Sequence, residues 1–135
     1  MKKAIIYLLL LCALLAAGAG VYLWNKPHRN IEDARPMPVN AAELSAAFEA
    51  DEAGANRKYL NQPLTVSGIV GEVADNDSGQ MVVFIRGYDD LSGVQCTLRE
   101  GAANGKPAVG NQVTISGFCN GYTTVVILDD CKFVR

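Results

Sequence analysis

Leu64-Thr65-Val66-Ser67-Gly68-Ile69-Val70-Gly71-Glu72-Val73 alternates apolar and polar side chains with a period of two, and the alternation shifts phase at Gly68. A period of two is that of a strand with one buried face. A glycine at the phase shift lets such a strand coil sharply and serve both sides of a small closed barrel. The pattern returns once, as Val113-Thr114-Ile115-Ser116-Gly117. A single recurrence does not make a solenoid. It fits two barrel strands under the same bending constraint.

Working outward, five runs read as strands: Leu64–Val73, Gln80–Arg86, Gly93–Arg99, Gln112–Cys119 and Thr123–Leu128. Glycine, asparagine and aspartate punctuate the gaps, as turn chemistry requires. The longest gap, Glu100 to Gly110, holds Gly101, Gly105 and Pro107, so any helix there is short. Five strands broken between the third and the fourth match the OB-fold barrel.

Ahead of the strands the pattern is helical. Asn40 is placed to cap, with Glu43 three residues on as a capping-box partner. Leu44, Ala47, Phe48, Ala55 and Tyr59 then fall near one helix face, and Gly54 weakens the middle enough to split it. Residues 25–39 carry Pro27, Pro36 and Pro38 and read as an extended juxtamembrane linker. His28, the only histidine, lies in that linker and reads as a polar residue near lipid headgroups.

The amino terminus sets the address. Lys2 and Lys3 precede an uncharged apolar run from Ala4 to Trp24, 21 residues long. A helix of that length rises about 30 Å and can cross a bilayer core. Tyr7, Tyr22 and Trp24 lie towards its ends, where amphipathic rings prefer to sit. The alternative is a cleaved signal peptide with Ala17-Gly18-Ala19 at the cut, but the apolar run continues through Trp24. A lipobox would need a small residue before Cys12, and Leu11 stands there. The expected organisation is a transmembrane signal anchor over 1–24, a linker over 25–39 and a helix plus barrel over 40–135.

The exported part sums to 10 Lys+Arg against 14 Asp+Glu, a net of −4. That balance disfavours a partner held by charge alone, such as nucleic acid. Catalysis is disfavoured too. With no histidine after His28, the usual Ser-His and Cys-His pairs and most zinc sites are excluded from the globular part. Asp75-Asn76-Asp77-Ser78-Gly79 lacks the distal glutamate of a calcium loop and reads as a hairpin turn. We expect no enzyme, no metal and no cofactor.

Several stretches resemble the bacterial tRNA-anti-like OB-fold family. They are Ala41-Ala42-Glu43-Leu44, Ala55-Asn56-Arg57-Lys58-Tyr59, Val66-Ser67-Gly68, Gly93-Val94-Gln95-Cys96, Gly110-Asn111-Gln112-Val113, Gly117-Phe118-Cys119 and Leu128-Asp129-Asp130-Cys131. The resemblance covers about residues 40–134, and the apolar anchor is similar to that of membrane-attached members. It implies the barrel. It implies nucleic-acid binding only through similarity to anticodon-binding barrels, and fold does not fix function.

OB-folds commonly bind across their second and third strands and the loops beside them. Arg86, Tyr88, Gln95, Thr97 and Arg99 form the candidate ligand face, with Tyr122 at the rim. The expected function is a membrane-tethered extracytoplasmic module for a protein, peptide or glycan of the cell envelope, on the periplasmic side of the inner membrane. Secretion to the periplasm after signal cleavage is the alternative address. A single-stranded nucleic-acid binder and a structural spacer are the alternative functions.

Exported cysteines can pair. A turn around Gly121-Tyr122 would leave Cys131 roughly 20 Å beyond the position opposite Cys119 at strand rise. Barrel closure brings the third and fifth strands together, so Cys96 with Cys131 is the expected disulfide, against three reduced thiols.

Overall fold

The structure, a computed structural model, describes residues 1–25, 35–102 and 105–134. His28 and most of the linker lie outside them. The element order is α1 (Lys2–Trp24), β1 (Met37–Asn40), α2 (Ala41–Ala50), α3 (Glu52–Tyr59), β2 (Pro63–Asp75), β3 (Met81–Arg86), β4 (Gly93–Leu98), β5 (Gln112–Tyr122) and β6 (Val126–Phe133).

β2 pairs with β3, β3 with β4, β4 with β6, β6 with β5, and β5 returns to β2. The five expected strands therefore close into a barrel. All of these pairings are antiparallel except β4 with β6. β2 closes the ring by serving two neighbours: Pro63 to Ile69 pairs with β5, and Val70 to Asp75 pairs with β3. Gly68 sits at this handover. A Cβ there would come within 2.4 Å of Ile85 Cγ2 and 3.1 Å of Ala41 Cβ, so only glycine lets the strand turn this close to the core.

The interior follows from strand alternation. Leu64, Val66, Val70, Val83, Ile85, Val94, Ile115, Val126 and Leu128 are all fully buried. Leu44 and Phe48 of α2 pack into the same core, with Ala55 and Tyr59 of α3 behind them. The helical stretch is broken at Asp51 rather than at Gly54. Asp51 caps α3 by accepting a hydrogen bond from the Gly54 amide at 3.1 Å. Asn40 caps α2 as expected, through the Ala42 amide at 2.8 Å.

Two boundaries differ from the sequence reading. Met37–Asn40, at the end of the expected linker, forms a strand parallel to Leu64–Ser67 of β2. It is an edge strand, where Pro38 and its missing N–H are tolerated. The last hairpin turns at Thr123–Val125, not at Gly121-Tyr122, and Cys119 pairs with Leu128. Gly121 is taken up inside β5 at a register shift, with φ 114°.

α1 is 23 residues long, wholly exposed, and long and apolar enough to cross a membrane.

Candidate ligand face of the barrel

On β3, Met81, Val83 and Ile85 are buried, so Val82, Phe84 and Arg86 point outward. On β4, Val94, Cys96 and Leu98 are buried and Gln95 and Thr97 point outward. On β2, Glu72 and Ala74 are exposed. Register joins these positions into rows. Glu72, Phe84 and Gln95 stand side by side across β2, β3 and β4, and Ala74, Val82 and Thr97 form the next row. Glu72, Ala74, Val82, Phe84 and Gln95 line a shallow cleft of about 190 Å³.

Phe84 is the centre of this face, and the flanking backbone is shaped around it. A Cβ at Gly93 would lie 2.5 Å from Phe84 Cζ, and one at Gly71 would lie 3.0 Å from its Cδ1. Two glycines thus let the ring lie low across the sheet with one side open to the cleft. The Arg86 side chain passes over Gly71 and remains exposed. A half-buried ring, an amide and a carboxylate in one row can stack a flat group and hydrogen-bond its edge.

The structure brings Arg86, Gln95 and Thr97 onto this face and places the other three elsewhere. Arg99 lies just past β4. Its Nε is 3.4 Å from Asp130 Oδ1, and its Nε and one terminal nitrogen are buried without a hydrogen-bond partner. Tyr88, in the β3–β4 loop, donates its hydroxyl hydrogen bond to Glu49 of α2. Tyr122 stacks on Phe48, with centroids 5.7 Å apart and planes at 17°. Burial, then the carboxylates of Glu49 and Glu52, raise its phenol above the ordinary value. Phe84, Glu72, Ala74 and Val82 join the face without having been expected there. The signal was present for Phe84, because the alternation that turned Arg86 outward turns Phe84 outward as well.

The β2–β3 connection is the expected tight turn. Asn76 Oδ1 accepts from the Ser78 and Gln80 amides at 3.0 and 2.9 Å, and Gly79 has φ 78°. Among the described residues no cluster of three or more His, Cys, Asp or Glu side chains could hold a metal ion. All four cysteines are free thiols, with Cys96, Cys119 and Cys131 buried.

A barrel closed by β2 to β5 pairing, with a strand-face cleft on β2–β4, defines an OB-fold module. The chain belongs to the tRNA_anti-like family, whose model matches residues 1–132. No curated protein sequence matches it. Among solved structures it is similar to a "putative nucleic acid-binding lipoprotein" from Klebsiella pneumoniae subsp. pneumoniae. That match has 19% identity and a TM-score of 0.54, and covers 82% of this chain and all of that one. At this identity the likeness is one of fold.

Proposed function

We propose that the chain is a membrane-tethered, non-enzymatic OB-fold module that binds a protein, peptide or glycan of the cell envelope. The observation that carries this reading is the Glu72–Phe84–Gln95 row, an open ring between two polar side chains on the strands OB-folds commonly use. The tether in this reading is α1, which is long and apolar enough to cross a membrane, and the barrel would then lie on the far side of the inner membrane. Reporter fusions after Arg135 test this placement. Activity of a periplasm-dependent reporter supports it, and activity of a cytoplasm-dependent one overturns it.

Single-stranded nucleic acid is the second reading. It is favoured by Arg86 beside Phe84, a cation next to a stacking ring, and by the description of the Klebsiella relative as nucleic acid-binding. The net charge of −4 over residues 25–135 and the carboxylate of Glu72 in the cleft weigh against a polyanion. Retention of the protein on an immobilised oligothymidylate that falls steeply with salt would move the assignment to this second reading.

A further inference from the structure

Cys96 of β4 and Cys131 of β6 lie on the parallel strand pair where the third and fifth barrel strands meet, and both are completely buried. The register sets Cys96 opposite Leu128 and Leu98 opposite Cys131, so three residues of β6 span the rise of two on β4. The extra residue falls at Asp129-Asp130, where Asp130 takes φ 54°. Without this bulge the two-residue period would turn Asp130 inward after Leu128. The bulge turns Cys131 inward instead, onto the face that carries Cys96.

The Cys96 side chain is the neighbour that acts most strongly on the Cys131 thiol. Space for the Cys131 sulfur is made by Gly117 on β5, where a Cβ would lie only 2.4 Å from Sγ. Cys119 is differently placed. It stands opposite Leu128, and its sulfur interacts with the Gly121 amide.

We propose that Cys96 and Cys131 are a paired oxidation site, converted to a disulfide that staples β4 to β6. The co-reactant is a small-molecule disulfide such as oxidised glutathione. One cysteine thiolate attacks a glutathione sulfur and releases the first glutathione thiolate, leaving a mixed disulfide. The second cysteine thiolate then attacks the protein sulfur of that mixed disulfide and releases the second glutathione. In total the pair loses two protons and two electrons, and one glutathione disulfide becomes two thiols.

In the closed barrel the Cys131 thiol is hard to ionise. Its neighbour Cys96, its burial and the nearby Asp129 and Asp130 all raise its pKa well above the ordinary thiol value. Exchange therefore belongs to the folding or opened chain. The oxidising setting rests on the envelope placement proposed above, whereas the pairing rests on the register.

The test refolds the full-length chain in detergent from the reduced, denatured state in a glutathione redox buffer. Thiols are then blocked and peptides mapped without reduction. The expected product is a Cys96–Cys131 cross-link that survives Cys119→Ser and melts several degrees above the reduced form. The same mapping on natively extracted protein incubated with oxidised glutathione reads the pairing without refolding. Free Cys96 and Cys131 in both preparations, or a dominant cross-link that uses Cys119, overturns the proposal. Protein trapped directly from cells separates the two ideas. A pair that closes in the redox buffer but is reduced in the cell contradicts the envelope placement and leaves the pairing intact.

Discussion

Phe84 on β3 stands directly across the sheet from Gln95 on β4, with its ring seated against the backbone of Gly93. This pair divides the aromatic residues into two roles. Phe84 is half-buried on the outer face, whereas Phe48 is inside, packed between Tyr59 and Tyr122. Phe84→Ala should cost about 1 kcal/mol of stability or less, in the range of partly exposed positions. Phe48→Ala should cost about 3–5 kcal/mol, as for large core aromatics. Urea denaturation of the two variants checks the contrast, and equal losses would contradict it.

The two arginines of the candidate face should also separate. Arg86 is exposed and makes no ion pair among the described residues, so Arg86→Glu should change stability by about 0.5 kcal/mol or less. Arg99→Glu places a carboxylate beside Asp130 where a guanidinium now sits, and should cost about 1–3 kcal/mol. Thermal melts of the single variants decide this. Equal tolerance would mean that Arg99 turns outward with Gln95 and Thr97.

Gly68→Ala should destabilise by about 1–3 kcal/mol through overpacking against Ile85 and Ala41, with no change in helix content. Gly20→Ala, where a Cβ meets nothing within 4 Å, is the control and should leave the barrel's stability unchanged. A tolerated Gly68→Ala would show that β2 does not bend against the core at that point.

The β3–β4 loop should respond to acid. The Asp89 side chain accepts hydrogen bonds from the Ser92 and Leu91 amides at 2.6 and 2.9 Å, and its pKa is lowered from the ordinary 3.8, mainly by the Ser92 bonds. A lowered folded pKa means that the contribution is complete above 3.8 and is lost as pH falls through the lower folded value. Amide exchange at Leu91 and Ser92 should therefore stay protected at neutral pH and rise only in strong acid. Asp89→Ala should remove the protection at every pH.

The barrel was legible because alternation and turn residues are local. Leu64–Val73 and Gln80–Arg86 differ from β2 and β3 by a few residues at their ends. The last hairpin was less legible, because Gly121 serves equally as a turn residue or as a bulge inside β5, and pairing with β6 decides which. β1 is a strand only because β2 offers it an edge, with each partner 27 residues later in the chain, and two prolines hid it. The site was half legible for a related reason. Parity alone puts Arg86, Gln95 and Thr97 on one face. Arg99, Tyr88 and Tyr122 are held by Asp130, Glu49 and Phe48, partners that no local pattern joins to them.

The most direct test of the ligand face is photo-crosslinking in cells, with a benzophenone amino acid at Val82, beside Phe84 in the cleft. The same probe at exposed Gln112 on β5 is the control. The expected result is an adduct at Val82 that is digested by protease or glycosidase, absent at Gln112, and lost when Phe84→Ala is added. An adduct digested by nuclease, or equal yields at both positions that ignore Phe84→Ala, would contradict it.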